Sequence, residues 1–171
     1  MKVLMTTRAM CVLCALISLP VLAVEVTFRP VVEGVYAYIG ETDGRTYENE
    51  GLNANIGLVV TPEGAVLIDS GATFQSALKI QEAVKKVTSQ PVRWVINSGG
   101  QDHRWLGNGY FRAQGAEIMA HATAESDMKA RAGGHLEALK VLKERLDGTI
   151  PTLPNRFVQG NDTRLALGGV V

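Results

Sequence analysis

The sequence predicts an α/β domain, a layered sheet carrying helices, and three observations lead there. Short apolar runs at residues 54–60, 65–68, 92–96 and 117–120 are bounded by Gly, Pro, Asn or Asp, as strands are. Residues 73–87 place Phe74, Ala77, Ile80, Val84 and Val87 three and four apart, with Lys79, Glu82, Lys85 and Lys86 on the other face, the spacing of an amphipathic helix. The order is strands first and then β-α-β-α-β-α, which is the alternation of layered α/β proteins.

Taken along the chain, residues 24–28 and 34–39 read as short strands broken at Pro30 and at Glu33-Gly34. A polar loop, 41–53, precedes a hairpin of 54–60 and 65–68 around Thr61-Pro62-Glu63-Gly64. After the helix at 73–87, Pro91 opens the strand 92–96. A shorter helix is expected from His103 or Trp105 to Gln114, stopped by Gly115. The strand 117–120 follows, then helices at 123–131 and 135–146 separated by Gly133-Gly134, the second with Leu136, Leu139, Leu142 and Leu146 as its apolar stripe. Residues 163–167 start another strand, Gly168-Gly169 turn, and Val170-Val171 begin a further apolar run. A hairpin begun without its second strand leaves an unpaired edge, so residues 24–171 read as a domain truncated at its C-terminus.

Residues 1–23 read as a signal peptide: Lys2 and Arg8 are basic, 10–22 is almost unbroken apolar sequence, and Val21-Leu22-Ala23 sets small residues at a cleavage site. The protein is expected to be periplasmic or secreted, with no stable membrane association after cleavage. Cys11 and Cys14 both fall in this segment, so the mature chain would hold its fold without a disulfide. Removing the segment takes a balanced formal charge to about −2. No basic face of nucleic-acid type is present, which excludes that partner and leaves a small-molecule substrate drawn by a local site.

Chemistry concentrates in Asn97-Ser98-Gly99-Gly100-Gln101-Asp102-His103-Arg104-Trp105-Leu106-Gly107-Asn108. This stretch follows a strand, and side chains at strand carboxyl ends converge on the crevice of α/β proteins. It holds the chain's only Asp-His pair, a Gly-Gly and a carboxamide.

The run from Leu52 through Asp69-Ser70-Gly71, the helix after it, Trp94-Val95-Ile96-Asn97-Ser98, the loop closing on Leu106-Gly107-Asn108, and Ala116-Glu117-Ile118-Met119-Ala120-His121 together resemble the metallo-β-lactamase-fold hydrolases. That resemblance implies the N-terminal half of an αβ/βα sandwich. It also implies one or two zinc ions at the strand ends, and attack of a metal-activated water on an ester, amide, lactone or thioester. The family's loop reads His-x-His-x-Asp-His. Laid down without gaps, its four ligand positions hold Gly99, Gln101, His103 and Arg104; slid by one residue, Asp102-His103 match the Asp-His but Ser98 and Gly100 stand first. Both leading histidines are replaced, and glycine has no side chain to ligate with.

Two readings stand for the pair. Asp102 and His103 are the candidate metal ligands, with Asp102 also the catalytic candidate. Alternatively, Asp102 caps a helix starting at His103. Gly99-Gly100 reads as a tight turn needing positive φ, ahead of an anion-binding nest. Trp105 and Tyr110 read as core, Asp69 as an acceptor tying loops together, and His121 as a capped strand end. His135 reads as exposed, and Glu48, Glu50, Asn53 and Asn55 as hydrogen-bonding scaffold. Two functions follow. One is an exported metal-dependent hydrolase, inactive as this 171-residue chain. The other is a non-catalytic periplasmic protein that keeps the fold and binds a small ligand or partner.

Overall fold

The computed structural model describes residues 24–170. The predicted signal peptide and both cysteines lie outside the described residues. Seven strands form one mixed sheet in sequential order: β1 (Arg29–Val32), β2 (Val35–Tyr38), β3 (Ile56–Thr61), β4 (Gly64–Ile68), β5 (Val92–Asn97), β6 (Glu117–His121) and β7 (Arg156–Val158). The pairs from β1 to β4 are antiparallel and those from β4 to β7 parallel. The switch follows from the connections. Two-residue turns join β1 to β2 and β3 to β4, whereas helices bridge β4 to β5, β5 to β6 and β6 to β7.

Strand alternation assigns the two sheet faces. Leu58, Leu67, Val95 and Ile118 point into the main core with Ala77, Ile80, Val84 and Phe111 from the helices. Their neighbours Val59, Val66, Ile68, Trp94, Ile96 and Met119 point the other way, where among the described residues Leu165 and Leu167 of the tail cover them. The first helix, α1 (Phe74–Val87), is capped by Thr73, whose hydroxyl accepts from the Ser76 N–H while the Ser76 hydroxyl accepts from the Thr73 N–H.

Several sequence expectations change. Residues 24–28 are not a strand; Val26 and Phe28 are buried in the core, but ladder pairing starts at Arg29. Pro30 lies within β1, which is permitted because β1 is an edge strand. The single helix expected after residue 103 is two, α2 (Asp102–Trp105) and α3 (Asn108–Ala113). Gly107 stands between them because a Cβ there would lie 2.0 Å from the Ser70 carbonyl oxygen. Gly133-Gly134 do not interrupt a helix: α4 (Ala122–Ala138) runs through both, and the break comes at a 3₁₀ segment, Leu139–Leu146, kinked at Lys143. The expected strand at 163–167 reduces to one bridge between Leu167 and Val170 around Gly168-Gly169, while β7 forms at Arg156–Val158, where the sequence pattern indicates no element.

Candidate functional site

The loop 97–108 closes on itself through its two asparagines. Asn108 Nδ2 donates to Asn97 Oδ1 at 2.8 Å, Asn97 Nδ2 donates to Asn108 Oδ1 at 3.0 Å, and Ser70 Oγ donates to the same Asn108 oxygen at 2.8 Å. All three residues are buried, so these are exchanges between groups that would otherwise lack partners. Trp105, fully buried, donates from Nε1 to the Gly100 carbonyl at 3.1 Å and anchors the loop's turn to the core. Neither Gly99 nor Gly100 takes the positive φ expected of it. A Cβ at Gly100 would lie 2.3 Å from the Asp127 carboxylate and one at Gly99 2.7 Å from Gln101 Oε1, but both are the ends of flexible side chains that can turn aside, so crowding does not require glycine at either position.

Asp69 ends β4 and ties the loops together, as the sequence suggested. Its two oxygens accept from the Ser98 N–H and the Ser98 hydroxyl, each at 2.7 Å. Burial pushes the Asp69 carboxyl above its ordinary value, and the Ser98 bonds and the Arg104 charge offset only part of that.

Asp102 and His103 are adjacent but face different surroundings. Asp102 is 5% exposed and accepts from the His103 backbone N–H at 2.8 Å, at the first helical position with Gln101 as the cap residue. Its carboxylate pairs with the Arg45 guanidinium, which comes from the polar loop before β3. The same Arg45 Nη2 lies 2.9 Å from His103 Nδ1. The same Nδ1 stands 3.3 Å from Asp102 Oδ1, so this ring nitrogen faces both the guanidinium and the carboxylate. Burial pushes the Asp102 carboxyl up, yet its contacts with His103 and Arg45 outweigh that and hold it well below the usual carboxylate range.

Above this pair, Gly40, Glu41, Thr42, Asn53, Ala54, Asn55, Asp69, Ser98, His103 and Arg104 enclose an open polar cleft of about 550 Å³. It lies at the carboxyl ends of β4 and β5, where the sequence placed it. Arg104 donates from Nη1 to Ser98 Oγ, and its buried Nε has no partner among the described residues. Asn55 Oδ1 accepts from the Gly40 N–H, and Asn53 Nδ2 donates to the Asp43 carbonyl, so both act as scaffold. Glu50 is fully buried and holds Lys79 at 2.6 Å and Arg145 at 3.0 Å. Glu48 is exposed.

The remaining histidines lie apart from the cleft's lining. His121 caps α4, its Nδ1 accepting from the Thr123 N–H at 3.3 Å. His135, expected at the surface, is instead 8% exposed and packs edge-on against Trp105, with ring centroids 6.3 Å apart. It is buried because α4 continues through Gly133-Gly134 and turns that position inward. Arg45 escaped the sequence reading altogether. It lies 57 residues before Asp102 in a polar loop, and no spacing pattern marks it.

Solved structures give the architecture a context. A metallo-β-lactamase from Pontibacter korlensis aligns with a TM-score of 0.58 at 19% identity, over 85% of this chain and 57% of that one. The chain has the metallo-β-lactamase fold. The DIM-1 metallo-β-lactamase exposed to ceftazidime aligns with a TM-score of 0.61 at 12% identity, over 85% of this chain and 57% of that one. The FIM-1 metallo-β-lactamase from Pseudomonas aeruginosa, in its mono-zinc form, gives 0.53 at 22% identity, over 64% of this chain and 48% of that one. The chain thus spans about half of the length of the structures it resembles. No family model and no curated protein matches it.

The donors the loop presents do not fit zinc in this arrangement. Gly99 offers no ligand, Gln101 is a neutral amide at the surface, and Asp102 and His103 Nδ1 are both engaged by a guanidinium. Among the described residues, no group of three or more His, Cys, Asp or Glu side chains converges as a metal site would require.

Proposed function

We propose that this protein is an exported, metal-independent binding protein that uses the metallo-β-lactamase fold to hold a small polar molecule in the cleft above Asp69 and His103. One observation carries the reading. The Arg45 guanidinium sits against both the Asp102 carboxylate and His103 Nδ1, so the positive charge the loop needs comes from the chain itself. The cleft beside it is polar, and Asp69, Ser98, Arg104 and Asn55 in its lining are held by hydrogen bonds, which supplies placed polar groups to orient a small ligand. Export rests on the basic start and apolar run of residues 1–23. Among the described residues, no helix is long and apolar enough to cross a membrane.

The test is a thermal-shift screen of the full chain in EDTA against uncharged and charged metabolite-sized ligands. At least one should raise the melting temperature, and Thr42→Trp, which fills the cleft from its rim, should abolish the shift. Turnover of ester or lactone substrates that EDTA abolishes would overturn the reading.

The neighbours favour a second reading, a hydrolase cleaving an ester, amide, lactone or thioester with a zinc-activated water, since every solved structure compared above is a metallo-β-lactamase. For that chemistry, Asp102 and His103 would have to leave Arg45, and further donors would have to join them. The same EDTA experiment separates the two readings.

A further inference from the structure

Ser98 is exposed and lines the cleft, and its hydroxyl donates to Asp69 Oδ2 at 2.7 Å. The carboxylate behind it is buried and held in place. Asp69 follows directly on β4, its N–H donates to the Ile96 carbonyl at 2.9 Å, and its second oxygen accepts from the Ser98 N–H at 2.7 Å. An exposed hydroxyl held on a fixed, desolvated carboxylate is the arrangement of a nucleophile and its base. Burial also pushes the Asp69 carboxyl above its ordinary value, which makes its carboxylate a better proton acceptor than a solvated one. On the other side, Arg104 Nη1 donates to Ser98 Oγ at 2.5 Å. A positive charge therefore stands beside the point where the carbonyl oxygen of an acyl group joining Oγ would turn negative.

We propose that Ser98 accepts an acyl group from a small neutral ester in the cleft, with Asp69 as its general base. As Oγ attacks the ester carbonyl, the Oγ–C bond forms and the hydroxyl proton passes to Asp69 Oδ2. When the bond from the carbonyl carbon to the alcohol oxygen breaks, the same proton leaves with the alcohol. The products are acyl-Ser98 and the free alcohol, and no co-reactant is consumed. A neutral donor is favoured because the Asp69 and Glu41 carboxylates share the lining and repel an acid. This rests on the metal-independent cleft proposed above and adds a covalent outcome, capture of the ligand's acyl part.

The experiment mixes the full chain, in EDTA, with p-nitrophenyl acetate, following nitrophenol release by absorbance and the acetylated residue by peptide mass spectrometry. One acetyl group per chain on Ser98 is expected, absent in Ser98→Ala. Its formation should slow about a hundredfold in Asp69→Asn, whose amide can still accept a hydrogen bond but takes up no proton. Circular dichroism identifies folded variants. If Asp69→Asn does not fold, the pH dependence of the unaltered chain serves instead: acetylation of Ser98 should level off once Asp69 has lost its proton. A rate that rises with hydroxide throughout overturns the proposal, as does acetylation confined to lysines, or a Ser98 label that forms as fast in Asp69→Asn. The cleft itself is judged separately by the thermal-shift screen with ligands that carry no ester, so either claim can fail alone.

Discussion

At the residue scale, the account turns on Arg45 and the two groups it holds. Asp102 is almost wholly buried and Arg45 about one-third exposed, so removing the guanidinium strands a carboxylate in a poor solvent. Arg45→Ala should therefore destabilise the protein by about 1–3 kcal/mol in urea unfolding, and the Asp102→Ala, Arg45→Ala double variant should lose less than the two singles combined. The pair also sets a pH dependence. The Asp102 carboxyl is held low in the folded state, so its contribution is present above the unfolded value near 4 and is lost as pH falls through the folded one. His135 acts in a different window. Burial pushes its imidazole below the ordinary value, with the Asp102 charge opposing, so the unfolded chain binds the proton more readily. Stability from this group is full above about pH 6.5 and declines as pH falls below it. His135→Phe keeps the edge-on packing against Trp105, and it should flatten the stability profile between neutral pH and pH 5. An unchanged slope would remove His135 from the explanation. None of this was legible beforehand. The sequence marked Asp102 and His103 as polar chemistry beside a strand end, but an arginine 57 residues away carries no local pattern, and a histidine after two glycines looks exposed.

At the element scale, glycines mark both what the sequence told and what it withheld. Gly133 and Gly134 read as a helix break, yet α4 passes through them, and the space around both positions is open. Each glycine lowers the helix's stability relative to alanine, so Gly133→Ala and Gly134→Ala should each stabilise by about 0.5–1 kcal/mol in thermal melts. Gly107 is the opposite case. Its Cα faces the Ser70 carbonyl at a distance that admits no side chain, so Gly107→Ala should cost about 1–3 kcal/mol or more through overpacking. The strongly periodic elements, α1 and the β3–β4 hairpin, were readable because local pattern and tertiary burial agree there. β7 was missed because its three residues depend on pairing with β6, a contact with no signature in so short a run.

At the scale of the whole molecule, one sheet face is layered with helices and the other is covered, among the described residues, by the tail alone. Leu167 is 6% exposed and packs on Val66 and Met119 of that second face. Leu167→Ala should cost about 2 kcal/mol or more and raise the binding of an apolar dye, because the lost side chain covers strand surface that no helix shields. The layered α/β fold was visible as a family likeness in the sequence, and the fold matches it; Asp69 was readable as an acceptor that ties loops together, though its partner Ser98 was not. What the likeness did not carry is the site's charge arrangement, since Arg45, which sets it, lies in a polar loop outside the family motif.

The most direct test of the central claim, that Arg45 rather than a metal supplies the loop's positive charge, is the zinc stoichiometry of the full chain, measured by equilibrium dialysis together with its melting temperature in EDTA. The account predicts less than stoichiometric zinc and an unchanged melting temperature, with weak zinc binding appearing in Arg45→Ala as Asp102 and His103 are released. One tightly held zinc per chain, lost in Asp102→Ala and His103→Ala and stripped by EDTA with a fall in melting temperature, would contradict it.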